Sequence, residues 1–228
     1  MPFVFLEIAA KDMELAYQNM EIEKLRLGLQ QALQLGLPGL SRQLKMAPPY
    51  REVPDEAWVL QQRPKRAAVL VLVYPIGQQP HLIFTKRVAY GGVHSAQLSF
   101  PGGKVEPEDQ NAEQTALREA QEELGLPLSA AQLLGRLTPL YIPPSNYLVD
   151  PVLGICDFYP QWQAQAEEVA ELVEIPLQFF FEPGARVVRR VQAGTQQPEV
   201  PGFLWKEHFI WGATAMMLEE FLALLDRG

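Results

Sequence analysis

The sequence predicts an α/β protein: an α/β/α sandwich with a mixed central sheet between helical layers, plus an N-terminal helical arm. Three observations carry this. Residues 67–74, AAVLVLVY, form a Val-rich and almost wholly apolar run, the mark of a strand buried on both faces. Two segments, one opening at Asn111 and one over 211–225, carry helical caps or periodicity. The order of elements runs strand, strand, helix, strands, helix, which needs helices on both sides of a sheet.

In chain order, residues 12–36 read as a helix. Leu25, Leu29, Ala32 and Leu33 recur at helical spacing, and Gly36 with Pro38 ends it. Residues 37–66 are rich in Pro, Arg and Lys and read as an irregular arm over the core, so the chain divides into an N-terminal helix and arm (1–66) and a main domain (67–228). Turn chemistry at 75–80 joins the first strand to a second at 81–87. The second strand ends in Lys86-Arg87, ordinarily a solvated end, here two cations close ahead of an acidic segment. Later, 132–140 and 147–158 read as strands, with Pro151 marking an edge or bulge. Residues 166–175 are acidic and partly periodic, which in the ordinary reading is a solvated acidic helix. Residues 177–181 form an apolar ledge. Residues 186–192 and 203–210 read as a final strand pair joined by a long tip at 193–201. The closing helix places Met216, Met217, Phe221 and Leu225 at core spacing.

Composition excludes several classes. A net charge of −8 argues against a nucleic-acid coat or an anionic membrane surface as the main partner. A single cysteine, Cys156, permits no intrachain disulfide, which suits a reducing compartment, and the cytoplasm is the expected location. Residues 2–10 are apolar, but Glu7 interrupts them and they are too short to span a bilayer. The arm and the exposed strands leave room for a homodimer.

The chemistry concentrates in 102–126, GGKVEPEDQNAEQTALREAQEELGL. Asn111 and Gln114 read as a cap and its reciprocal partner, Leu117, Ala120 and Leu124 as the buried stripe, and Gly125 as the left-handed stop. Glu119, Glu122 and Glu123 stand at i, i+3 and i+4, so one helical turn presents three carboxylates. Such a cluster repels itself unless something positive sits on it. Arg118 reaches Glu122 at i+4 but cannot neutralise three acids. The simplest remedy is a hard dication with oxygen ligands, Mg²⁺ or Mn²⁺. The glycine pair Gly102-Gly103 lets backbone pass close to a ligand, and the Gly103 carbonyl is a further oxygen donor. Phe100, just before it, reads as core, and His94 as a hydrogen-bonded structural residue.

This stretch resembles the Nudix box. Gly103 is followed by five residues, Asp109, eight residues and Arg118-Glu119-Ala120-Gln121-Glu122-Glu123-Leu124-Gly125-Leu126. Asp109 replaces the usual first Glu, and the middle spacer is one residue longer. Both departures occur in the coenzyme A pyrophosphatase branch, which the chain also resembles at His94-Ser95-Ala96-Gln97-Leu98-Ser99-Phe100-Pro101-Gly102-Gly103, at 147–154 and in the terminal helix. The position of a substrate-binding Arg in that branch falls on Gly92, and Arg87 or His94 is the candidate to stand in for it.

The resemblance implies a Nudix-type sandwich and metal-dependent hydrolysis of a small nucleotide diphosphate, coenzyme A or acyl-coenzyme A, to 3′,5′-ADP and (acyl-)4′-phosphopantetheine. Metal ligands are expected at Glu119, Glu122, Glu123 and the Gly103 carbonyl, with Arg118 orienting the glutamates. The base is Glu119 or Glu168; the family supplies a further acid from the region of Glu168, where Glu167 and Glu171 are rivals. Substrate contacts are expected from Lys86, Arg87, His94, Gln97 and Phe100. Two other readings stand beside this one: the same chemistry on NADH, ADP-ribose or a nucleoside triphosphate, and a non-catalytic nucleotide-binding module.

Overall fold

The structure is a computed structural model that describes residues 21–88, 97–192 and 196–226. Its first element, α1, is helical over 21–34; the earlier part of the expected 12–36 helix lies outside the described residues. Short helices α2 (Leu40–Gln43) and α3 (Glu56–Gln61) follow, so the arm is less irregular than its composition suggests. Asp55 explains α3: its carboxylate accepts from the Ala57 and Trp58 N–H groups at the N-cap.

The main sheet is built on β1 (Lys65–Ile76), which pairs antiparallel with β2 (Gln79–Arg87) and parallel with β7 (Tyr147–Ile155). The β1–β2 turn is tighter than the 75–80 expectation. Ile76 pairs with Gln79, leaving Gly77-Gln78 as a two-residue loop with Gly77 at φ 58°. Beyond Val73 and Leu82 the two strands part, and the chain 98–104 fills the gap. Within it, β3 (Leu98–Ser99) pairs with β2, and β4 (Gly102–Lys104) pairs with β1. On the outer side of β2 lies β8 (Val169–Pro176). The acidic 166–175 segment is therefore a turn and a strand, not a helix. Its Val169, Val173 and Ile175 are buried at alternate or near-alternate positions, a period that the glutamates between them hide.

The expected 132–140 strand is two pieces, β5 (Gln132–Arg136) and β6 (Leu140–Ile142), both paired to β7. Pro151 is not at an edge: it is buried in β7, between β1 and this broken partner. Its carbonyl accepts from the Leu137 N–H. The N–H and C=O of one strand residue point to the same side, so the N–H that proline lacks would face the break between β5 and β6, where no ladder bond is lost.

Helix α4 (Ala112–Leu124) packs one face of the sheet, with Ala112, Ala116, Ala120 and Leu124 against Ala68, Leu70, Leu72 and Ile83. Leu117 is only partly buried; the stripe runs along the alanines instead. The other face carries Val71, Val73, Leu82 and Phe84, covered by α1 and by α5 (Gly212–Leu225) through Leu29, Met216 and Phe221. The C-terminal strand pair is a separate three-stranded sheet, β9 (Arg186–Arg190), β10 (Glu199–Trp205) and β11 (His208–Trp211). Residues 193–195 of its expected tip lie outside the described residues. Among the described residues no helix is long and apolar enough to cross a membrane.

One buried carboxylate ties arm, sheet and closing helix together. Glu220 of α5, with no exposed surface, accepts from the Gly39 N–H (3.0 Å), Gln43 Nε2 (2.7 Å), the Thr138 N–H and Thr138 Oγ1 (2.6 Å). Thr138 sits in the β5–β6 break, so the carboxylate serves donors that the interrupted strand leaves unpaired. Replacing it with an amide puts a donor among donors. Glu220→Gln is expected to lower stability by about 2–4 kcal/mol, measured as a lower urea midpoint with an unchanged m-value.

Candidate active site

The site grows from the α4 cap outward. Asn111 accepts from the Gln114 N–H at the N-cap, and Gln114 Oε1 accepts from Gln110 rather than from Asn111 itself. At the other end Gly125 is left-handed at φ 71°. The last carbonyls of the helix are taken up by the incoming β8 connection: the Gln165 N–H donates to the Glu123 carbonyl and the Gln163 N–H to that of Leu124. That attachment brings Glu168, in the turn before β8, beside the acidic turn.

The glycine pair is a steric requirement. Gly102 has φ +152°, and a Cβ there would lie 2.3 Å from the Ala68 carbonyl oxygen. A Cβ on Gly103 would lie 2.4 Å from the Glu119 carboxylate. Backbone of β4 thus runs directly against the acid face of α4, which places the Gly103 main chain beside the Glu119 carboxylate.

Arg118 makes a wider set of contacts than its i+4 spacing suggests. Its Nε and Nη2 bind Asp109 as a fork at 3.1 and 3.0 Å, Nη2 also donates to the Lys104 carbonyl, and Nη1 donates to Glu119 (3.1 Å) and Glu122 (3.0 Å). Asp109 also accepts from Thr115 Oγ1 and the Glu106 N–H. The Arg118 fork above all, with these two bonds, holds the Asp109 carboxyl down at about 2. Its side chain is 2% exposed. Asp109 therefore closes the 104–109 loop onto the helix.

The three glutamates differ in environment. Glu122 is half exposed. Glu119 is mostly buried, and burial raises its carboxyl while Arg118 opposes the rise. Glu123 is 1% exposed, so the buried side of the helix takes in one of the three acids. Burial pushes it up to about 7, opposed by Arg87 and the Gly102 N–H and reinforced by the charges of Glu119 and Glu168. Its oxygens meet the Gly102 N–H at 3.2 Å and Arg87 Nη2 at 3.3 Å. These donors only partly offset the burial of the carboxylate, and Glu123 is a group that could hold a hard cation.

Lys86 and Arg87 do not act as a pair. Successive strand residues face opposite sides of a sheet. Arg87 therefore turns to α4, whereas Lys86 turns to the other face and meets Glu171 at 3.0 Å. That separates Lys86 from the acidic turn, and Glu171 with it. Phe100 is 1% exposed and stacks on Phe84 at 4.9 Å, so it supports the loop from the core and offers no surface to a ligand. Gln97 is half-buried just before β3, and His94 and Gly92 lie outside the described residues. Asp150 is the buried partner of Arg66 at 2.6 Å.

The model of the NUDIX domain family matches residues 64–180, a span running from the start of β1 to the apolar ledge. The chain belongs to the Nudix hydrolases. The matched span includes the acidic turn of α4, and the protein is a pyrophosphohydrolase. A Nudix hydrolase named NudL from Photorhabdus laumondii, described as uncharacterized, is 32% identical over 178 residues, covering 78% of this chain and 90% of that one. A human protein, mitochondrial coenzyme A diphosphatase NUDT8, is 36% identical over 172 residues, covering 74% and 73%. Among solved structures, a MutT/nudix family protein from Enterococcus faecalis superposes with a TM-score of 0.50 at 16% identity, over 77% of this chain and 66% of that one, and shows the same fold.

The Asp109–Arg118 fork has a pH signature. A carboxyl whose pKa is lower folded than unfolded adds stability above its unfolded value, near 4, and that stability is lost as pH falls toward the folded value. Asp109→Asn is expected to cost about 1–3 kcal/mol at neutral pH. The gap in melting temperature between wild type and variant is constant above about pH 5 and closes between about pH 4 and 2. Melting curves across that range check it.

Proposed function

We propose that this Nudix hydrolase uses Mg²⁺ or Mn²⁺ to cleave the diphosphate of coenzyme A or acyl-coenzyme A, releasing 3′,5′-ADP and (acyl-)4′-phosphopantetheine. The observation that carries the metal requirement is the convergence of Glu119, Glu122 and the buried Glu123 beside the Gly103 main chain, with the one guanidinium of Arg118 shared among Asp109, Glu119 and Glu122. What supports the substrate is the likeness to the human coenzyme A diphosphatase across three quarters of the chain, together with the longer spacer between Asp109 and Arg118.

The donor set fits a hard dication: carboxylate and carbonyl oxygens, no thiolate, and a buried acid that needs charge beside it. Glu119, Glu122, Glu123 and the Gly103 carbonyl are the groups to hold it. When bound, the ion offsets charge on the phosphate oxygens and acidifies a coordinated water. The chain's own groups do the rest. Arg118 keeps Glu119 and Glu122 aimed at one point. Glu119, or Glu168 from the β8 turn, orients the attacking water and takes its proton. Arg87, half exposed beside Glu123, is the cation best placed to meet an incoming phosphate, in the role that Gly92 cannot fill. Water adds to one phosphorus, the bridging P–O bond breaks, and the two phosphomonoesters leave.

Incubation with coenzyme A and Mg²⁺ or Mn²⁺ is expected to yield both products by mass, with kcat/KM falling about 100-fold or more in Glu122→Gln. No phosphopantetheine above that variant's background rejects the substrate. Faster turnover of NADH, ADP-ribose or a nucleoside triphosphate in the same panel selects the second reading, for which the loss of the branch's Arg at Gly92 speaks.

A further inference from the structure

On the face of the sheet away from α4, three side chains from different elements converge. Glu171 comes from β8, His208 opens β11, and Glu207 comes from the turn between β10 and β11. One nitrogen or oxygen from each lies within 4.8 Å of the others. His208 Nε2 stands 3.4 Å from Glu171 Oε1 and 3.6 Å from Glu207 Oε1. Those separations are long for hydrogen bonds. They lie near the spacing between ligands of a tetrahedral ion, whose ligand atoms about 2.0–2.1 Å from the metal stand about 3.3–3.4 Å apart, so small side-chain shifts suffice to close on an ion.

The local structure prepares each group. His208 is nine-tenths buried, so its ring is held by packing, with Nε2 directed at the two acids. Glu207 follows Lys206, whose φ of 53° makes the tight turn that brings adjacent residues 207 and 208 to one place rather than to opposite faces. Glu171 is oriented by Lys86, its partner across the β2–β8 register. Lys86 Nζ takes Oε2 at 3.0 Å and leaves Oε1 toward His208. A carboxylate ligand steered by a hydrogen bond on its second oxygen is the usual arrangement around a metal. One imidazole and two carboxylates suit a borderline divalent ion, Zn²⁺ above Mg²⁺, with a position left to solvent.

We propose that His208, Glu171 and Glu207 form a second metal site, distinct from the Nudix box, that takes Zn²⁺ and staples the C-terminal three-stranded sheet to the β2–β8 edge of the main sheet. The two sheets share no ladder hydrogen bonds. A bond through the ion therefore adds a direct tie between β11 and β8. Lys86, which the strand alternation removes from the Nudix box, takes its role here.

The test is a Zn²⁺ titration of the full chain by calorimetry, with Mg²⁺ at millimolar excess to occupy the box. Wild type is expected to bind one equivalent and to melt at a higher temperature with Zn²⁺. Affinity falls about tenfold or more in His208→Gln and Glu171→Gln and stays unchanged in Glu122→Gln. Co²⁺ in place of Zn²⁺ gives the visible absorption of a four-coordinate ion in wild type and loses it in His208→Gln. Glu207 is three-quarters exposed, so Glu207→Gln folds even where the buried histidine variant does not, and it too binds several-fold more weakly. Unchanged Zn²⁺ affinity in Glu207→Gln and His208→Gln, or a loss confined to Glu122→Gln, overturns the site.

Discussion

The structure depends on one constraint: carboxylates gathered on a single helical turn have to be held together against their own repulsion. Arg118 answers most of it. Its guanidinium spans Asp109, Glu119, Glu122 and a main-chain carbonyl at once, so it fastens the preceding loop to the helix while it gathers the acids. Lysine, a point charge on a flexible stem, cannot make that fork. Glu123 lies beyond its reach and is met from the sheet side by Arg87 and the Gly102 N–H.

Those sheet-side contacts exist because β1 and β2 part company. The gap admits 98–104, and within it the glycine pair lets β4 lie against both β1 and α4 with no side chain between. Phe100 seals the gap from the core side by stacking on Phe84. The turn carrying Glu168 arrives at the same place because α4 ends where 163–165 can satisfy its last carbonyls. The candidate site is thus the meeting point of a parted hairpin, a helix and the approach to an outer strand, each held by backbone bonds and not by loop packing alone.

Much of this was legible in the chain itself. The helix from Asn111 to Gly125, the valine-rich β1 and the closing helix declare themselves by caps and period, and the three glutamates stand together on one turn as their spacing requires. What stayed hidden depends on pairing across long sequence distances. Acidic residues masked the alternation of β8, because Glu171 and Glu174 are held by partners on other strands. Pro151 read as an edge or bulge, and the structure instead sets it opposite a break in its neighbour at Thr138, which is not a feature of local sequence. The burial of Glu220 and Glu123 is not a feature of local sequence, because their donors come from elsewhere in the chain. Lys86 and Arg87 are the instructive case: strict alternation already separates them, and that signal was available before any coordinates.

The acidic turn of α4 is, as proposed, a dication site. Binding of Mn²⁺ followed by the paramagnetic resonance of the free ion, in wild type and in Glu123→Gln, tests it most directly. The account predicts micromolar-to-millimolar binding that weakens about tenfold or more on loss of that one buried charge and that does not change in His208→Gln. Equal Mn²⁺ binding by wild type and Glu123→Gln contradicts it.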